Sequence, residues 1–330
     1  PAKEVQKNVT IRTVVTDLIP NQYAHQWFFD IQRRLPFDMV GTLSYLGSST
    51  RQMIWNRNMN AVTDPGPGSI ASRRPWPFFS GITIRHPGGD ANYNAFAAKG
   101  EKRFSKGLTF LASYTWSHNI DDGAGTLSDG TAGGGWRNSN QIGWDRANSA
   151  YDRRHIFSGS FVYDLPFGKG RQWGAGWSPA ANAVLGGWQL GGILTLRSGE
   201  YFTPIISGNP NNADGEDYAN RIGDGNLSRS ERTIDRWFDV GAFEVPTGYV
   251  WGNSGRNVLI GPPDHWMDLK IGKNFRFAEN YRLEFRAEMF NFTNTPSFGN
   301  PGSTINSPAA GKITSASAAR RIQFGLKLVF

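Results

Sequence analysis

The sequence predicts an all-β chain, an antiparallel transmembrane β-barrel, and three observations carry that expectation. Runs of about ten residues alternate apolar and polar side chains, the spacing that a tilted membrane strand needs. The connections between them alternate short and long. The chain ends on an amphipathic octet, Gln323 to Phe330.

Composition narrows the class. The 330 residues include 40 Gly, 22 Phe, 12 Trp and 10 Tyr, with only 19% charged, so turn formers and strand formers dominate. No stretch approaches the roughly 18 uninterrupted apolar residues of a membrane helix. That excludes helical membrane proteins but not barrels, whose strands are apolar on one face only. Cysteine is absent, which excludes zinc–thiolate sites, cysteine nucleophiles and disulfides. The net charge of +8 comes from Lys and Arg spread along the chain, with no run longer than pairs such as Arg33-Arg34 and Arg320-Arg321. A nucleic-acid footprint is a clustered basic face, so no nucleic-acid partner is expected. The chain opens at Pro1 without an initiator Met or a signal peptide, as a processed or incomplete product would.

Successive side chains of a strand point to opposite faces. In Tyr281 to Phe292 this puts Leu283, Phe285, Ala287 and Met289 on one face and Arg282, Glu284, Arg286 and Glu288 on the other. The same alternation runs from Tyr23 to Gln32, Phe37 to Tyr45, Leu108 to Ser117, Phe157 to Tyr163, Trp188 to Arg197 and Met267 to Gly272. A further strand is read at Asn92 to Arg103, and with the last strand from about Arg320 the total is nine. Val9 to Val15 is a possible tenth. Tyr23, Tyr45, Trp116, Trp266 and Phe290 fall near one end of the strands, and Tyr163, Trp188, Phe275, Tyr281 and Phe330 near the other, as headgroup-level aromatic belts would. A soluble sandwich would also alternate, so the weight rests on loops, belts and terminus together.

Arg33 to Phe37, Phe104 to Gly107 and Phe277 to Asn280 are tight connections. Leu46 to Ala91, Ser117 to Arg154, Arg197 to Asp264 and Thr293 to Ala319 are long. Outer-membrane barrels have short periplasmic turns and long extracellular loops, so this parity puts Phe330 in the periplasm. The Leu165 to Gly187 connection should be short and is not. The chain enters the Tyr23 strand from outside, so a closed barrel needs an earlier strand: Val9 to Val15, or one before Pro1.

Several phrases resemble the C-terminal barrel of Oar-like TonB-dependent outer-membrane receptors. They include Tyr45-Leu46-Gly47-Ser48, Ala112-Ser113-Tyr114-Thr115-Trp116-Ser117, Asp152-Arg153-Arg154-His155, Tyr163-Asp164-Leu165-Pro166-Phe167-Gly168, Gly255-Arg256-Asn257 and Phe298-Gly299-Asn300-Pro301. The end of the chain also resembles the β-signal read by the barrel-assembly machinery, at Gln323, Gly325, Leu328 and Phe330. The resemblance implies a barrel of about 22 strands with a plugged lumen, of which residues 1–330 supply nine or ten. It implies an N-terminal plug and a TonB-engaging box upstream of this sequence, a bacterial outer-membrane location in contact with lipid, and Leu165 to Gly187 as a periplasmic connection. The implied function is energised uptake of an unidentified ligand selected by the loops. The alternative is a structural or adhesion barrel presenting its loops to a partner.

The candidate site is the inward charged set Asp268, Lys270, Arg282, Glu284, Arg286 and Glu288, expected to contact a plug or line a solute path, although a polar face is what any barrel interior requires. Asp214, Glu216, Asp217 and Asp224 lie in a Gly- and Asn-rich loop and are candidate Ca²⁺ ligands, but their spacing departs from the twelve-residue calcium loop, and a flexible loop is the competing expectation. No other cofactor is expected. His118, Asp121 and Asp122 could activate water at a barrel rim, but solvated loop groups are the commoner case, and the chain is read as no enzyme. The Gly-rich run Gly123 to Gly135 lacks the Lys-Ser/Thr ending of a phosphate loop.

Overall fold

The computed structural model describes residues 9–14, 19–123, 136–276 and 281–330. The glycine-rich run 124–135 and the turn at 277–280 lie outside the described residues.

Ten strands matter here: β1 (Val9–Val14), β2 (Tyr23–Leu35), β3 (Met39–Asn58), β4 (Phe79–Ser105), β5 (Leu108–Asp121), β6 (His155–Asp164), β7 (Trp188–Arg197), β8 (Asp264–Arg276), β9 (Arg282–Phe290) and β10 (Arg321–Val329). There are two short helices, α1 (Ile70–Arg73) and α2 (Pro179–Leu185). Strands β2 to β10 form one sheet in strict chain order, every neighbouring pair antiparallel. All nine expected wall strands are present. Among the described residues, β2 and β10 have one wall neighbour each, so the wall is open at both edges.

Register carries the two faces across the wall. Lys270 stands opposite Glu288, which stands opposite Gln323. Lys270 also faces Gly191, Gly191 faces Val162, and Val162 faces Thr109. On the other face Ile271 meets Ala287 and Leu190, and Phe285 meets Leu326. A one-residue slip in any pair would turn a strand's charges toward the apolar side. The apolar face is left bare: Phe324 is 73% and Leu326 70% exposed. In water that would be a costly surface, and in a bilayer it is the side that meets lipid.

The described short turns use left-handed backbone: Phe37 and Asp38 between β2 and β3, and Lys106-Gly107 between β4 and β5. A two-residue hairpin with positive φ at both positions matches the twist of its strands.

Four expectations are corrected. Val9–Val14 is a strand, but it runs parallel to Phe79–Ile84 of β4 and is not a wall neighbour of β10. Leu46 to Ala91 is not loop throughout, because β3 and β4 stay paired out to Asn58 opposite Thr83, with register shifts near Thr50 to Ile54. Trp266 and Phe290 do not belong to an outward aromatic belt, because alternation puts them on the face of Asp268 and Glu288. The stretch around Asp214 to Asp224 is packed rather than loose, with Ala213, Tyr218 and Ala219 at most 2% exposed.

That packing belongs to a cap at the long-loop end. Phe202, Ile206, Ala219, Phe238, Ala242, Phe243 and Leu259 form an apolar cluster within the β7–β8 connection, with Ile305 of the last long loop packed against it. Burying such side chains stabilises by roughly 1.5–3 kcal/mol each, which gives these loops a reason to hold one shape.

Candidate functional site

The charged face of β8, β9 and β10 is the first half of the site. Arg282 pairs with Glu284 at 2.6 Å. Gln323 Nε2 donates to Glu288 Oε2 at 2.6 Å. Arg286 stands opposite Gly325, and a Cβ on Gly325 would come 4.0 Å from its Nε, an ordinary contact distance. Glu284 faces Lys327, an inward cation that the sequence reading passed over. Asp268 is engaged locally: Oδ1 accepts the backbone N–H of Asn291 at 2.9 Å, where the chain leaves β9 in a left-handed turn. Asp268, Lys270 and Glu288 line a hollow of about 680 Å³ with Glu101, Arg103 and Thr109 from the facing strands. An ion pair between Lys99 and Glu101 at 2.8 Å continues the charge onto β4. The structure therefore brings all six expected charges to one ladder and hollow, and gives Asp268 a structural bond as well.

Of Gln323, Gly325, Leu328 and Phe330, the four residues expected to form an assembly signal, Gln323 and Gly325 stand against these charges. Leu328 and the terminal Phe330 are 51% and 86% exposed.

The cap is the second half, and it is held by buried charge. Arg256 is fully buried. Its Nη2 donates to the Asp121 carboxylate and to the Asp121 carbonyl at 2.7 Å, and its Nε to the Asp145 carbonyl at 2.8 Å. This fixes the β7–β8 loop to the end of β5. Asn257 continues the joint, donating from its N–H to Thr203 Oγ1 at 2.9 Å and from Nδ2 to the Asn148 carbonyl at 2.7 Å. Arg137 donates to both Asp145 oxygens, at 2.8 and 2.9 Å, and lies 5.1 Å over the Tyr218 ring. Burial pushes the Asp145 carboxyl up, and Arg137 opposes that shift. Burial also pushes the Tyr218 phenol up. Burial, then the neighbouring Glu216, push the Asp217 carboxyl up to about 6. A desolvated carboxylate loses hydration that only a close cation restores.

The four calcium candidates do not converge. Asp214 accepts the Val62 N–H at 2.9 Å and lies 3.5 Å from Arg74, while Asp224 pairs with Arg221 at 2.5 Å. Among the described residues no three acidic or histidine side chains come close enough to hold a metal. His118, Asp121 and Asp122 are also divided: His118 meets Asn148 at 3.0 Å, Asp121 meets Arg256, and Asp122 meets Arg146 at 2.8 Å. His155, at the start of β6, meets the Tyr114 hydroxyl at 2.8 Å. Each of these groups has a structural partner.

The sequence matches the family described as outer membrane beta barrel domain over residues 1–323. The chain belongs to that family. It is a portion of an outer-membrane β-barrel, the fold that its resemblance to the Oar-like TonB-dependent receptors implies. No curated protein matches it. Among solved structures it is similar to the outer membrane transporter YddB from Escherichia coli, with 9% identity and a TM-score of 0.50, covering 98% of this chain and 34% of that one. It is also similar to BauA, the ferric preacinetobactin receptor from Acinetobacter baumannii, with 12% identity and a TM-score of 0.46, covering 94% and 30%. The chain thus spans about a third of the length of these structures. At such identities the likeness concerns the fold.

Proposed function

We propose that this outer-membrane barrel portion serves an energised receptor: its cap selects a ligand and its charged inner face holds a plug that TonB pulls. The carrying observation is the joining of a rigid loop cap, pinned by Arg256 to Asp121, to a wall whose inner face bears Lys270, Arg286 and Glu288. The packed cap together with a charge-lined hollow supports the receptor reading over a barrel that only anchors a partner. The plug, the TonB-engaging box and the earlier strands belong to this proposal, and so does the orientation, with the cap extracellular and Phe330 periplasmic. The loop parity supports that orientation. The β-signal residues Gln323, Gly325, Leu328 and Phe330 would be read by the assembly machinery from the periplasmic side, as an exposed strand edge of defined register.

Two measurements test the reading. An impermeant thiol reagent on whole cells should label Arg229→Cys in the cap and spare Lys169→Cys at the opposite end. Spent medium from cells with and without the full-length gene should then be compared by mass spectrometry, with and without an uncoupler. Depletion of a medium component that the uncoupler abolishes supports energised uptake. Depletion of nothing, with cells that instead gain attachment to a surface, favours the adhesion barrel.

A further inference from the structure

Lys273 lies on the wrong face of β8. It falls in the alternating set of Leu269, Ile271 and Phe275, and stands opposite Phe285 and Trp188. An ammonium group toward lipid is costly unless it is covered or snorkels to the interface. Here it is covered: Lys273 is 5% exposed, and its Nζ lies 5.0 Å from the Trp188 ring and 4.9 Å from the Phe275 ring. Its Nζ donates to the Val184 carbonyl at 3.0 Å, and the Trp188 Nε1–H donates to the same oxygen at 2.8 Å. Val184 is in the last turn of α2, so the Leu165 to Gly187 connection folds back over the outward side of the wall and caps a lysine there.

The connection is built to stay in that place. Leu165 N–H donates to the Trp188 carbonyl, and Gly187 N–H to the Phe167 carbonyl, closing the base of the segment. Phe167 packs on Trp173 with centroids 5.4 Å apart. Ser178 caps α2 by accepting the Ala181 N–H, and Asn182 accepts the Lys169 N–H at 2.7 Å. The outer side of α2 is apolar and bare: Ala180, Ala183 and Val184 share a stripe, Val184 is 66% exposed, and Leu185 and Trp173 are exposed beside it. Lys169 lies against α2 through its bond to Asn182, and Arg171 pairs with Asp164 at 3.2 Å at the end of β6.

We propose that residues 165–187 form a membrane foot: α2 seats in the headgroup–acyl boundary of the phospholipid leaflet at the short-turn end, pinned by Lys273 and Trp188. Its apolar stripe is continuous with the lipid-facing side of the wall, which commits it to lipid rather than to a protein. Tryptophans and lysines beside a helix have the composition of an interfacial anchor. The leaflet, but not the membrane seat, rests on the orientation proposed above.

The test uses the full-length protein in vesicles of phosphatidylethanolamine and phosphatidylglycerol. A single nitroxide is placed at Val184→Cys, with Phe324→Cys as the lipid reference and Arg229→Cys as the aqueous one. The ratio of oxygen to nickel-chelate accessibility at position 184 should lie between the values at 324 and 229, well away from the aqueous one. A ratio equal to that at 229 overturns the seat. Lys273→Met keeps the bulk but removes the donor, and should convert the label at 184 from an immobilised to a mobile spectrum. Should that variant fail to assemble, Trp188→Phe removes the second donor alone and should give the same change. An immobile label in the assembled variant overturns the pin. If Lys169→Cys is labelled from outside whole cells while 184 still reads lipid, the orientation fails and the foot stands.

Discussion

Gln323 Nε2 and Glu288 Oε2 lie 2.6 Å apart across the last two strands, so the terminal strand holds a residue of the charged inner face. The amide donates and the carboxylate accepts, in a pair that only this register allows. The bond contributes about 1 kcal/mol, the usual net value at a part-exposed site. Gln323→Glu sets two carboxylates together and should lower the fraction of protein running as the folded, heat-modifiable band. Adding Glu288→Gln restores an amide opposite a carboxylate and should recover that fraction. An uncoupled double mutant would show that the contact has no part in assembly.

Arg256 should be the residue on which the cap depends most. Removing one partner of a buried ion pair costs roughly 3–5 kcal/mol, because the other charge is left without water or counterion. Arg256→Met therefore strands Asp121 at the end of β5. Arg256→Lys also fails, since one ammonium cannot reach the Asp121 carboxylate and the Asp145 carbonyl as a planar fork does. Both variants should lose hydrogen-exchange protection around Ser117 to Asp121 and Phe202 to Ile206, while β8 to β10 keep theirs. Equal protection in wild type and Arg256→Met would refute the clamp.

The wall could be read from the sequence because period-two alternation is local: Leu283 to Met289 declares its faces without reference to any other strand. The cap could not. Its core is assembled from Phe202, Ile206, Phe238 and Leu259, which lie in short apolar runs far apart in the chain, with no period to reveal them. Val9–Val14 shows the same limit, since its strand character is local but its partner on β4 is set by the distant cap end. The phrase Gly255-Arg256-Asn257 carries family resemblance, but nothing in its spacing or composition says that Arg256 makes a buried joint. Trp266 and Phe290 were misread because level along a strand was weighed without parity.

Asp217 should make the cap sensitive to pH. Its carboxyl rises from the ordinary 3.8 to about 6, through burial first and Glu216 second. The folded cap therefore binds the proton more tightly than the unfolded chain does. Its contribution is fully present below about 3.8 and is lost as the pH rises through about 6. Protection of residues 202–219, taken relative to the intrinsic exchange rate at each pH, should be greater near about pH 4 than near about pH 7, and Asp217→Asn should flatten that difference. A difference that persists in Asp217→Asn would assign the effect to another group.

Gly252 is fixed by contact rather than by conformation. A Cβ there would lie 1.8 Å from the Tyr218 carbonyl oxygen and 2.7 Å from that of Ala219, both backbone atoms that cannot swing away. Its own carbonyl accepts Arg137 Nη1 at 3.1 Å, so displacing it also disturbs the Asp145 cluster. Gly252→Ala should destabilise the cap by about 1–3 kcal/mol, the usual range for overpacking. Gly143→Ala has open space at its Cβ and serves as the control. Matching cap melting for the two variants would contradict the close approach.

The assignment of the bare apolar face to lipid predicts a cost that varies with depth. Leu326 lies near the middle of β10 opposite Phe285, and Ile322 lies near its loop end opposite Met289. Arginine on a lipid-facing position costs about 2–4 kcal/mol at the bilayer midplane and about 0–1 near an interface. Leu326→Arg should therefore reduce folding into vesicles much more than Ile322→Arg. Lys327→Leu, next to Leu326 but on the inner face, should stay close to wild type. A soluble sheet packed on a protein core would penalise arginine according to local packing, with no gradient along the strand. Equal penalties at 322 and 326, measured by denaturant titration in the same vesicles, would remove lipid as the partner of this face.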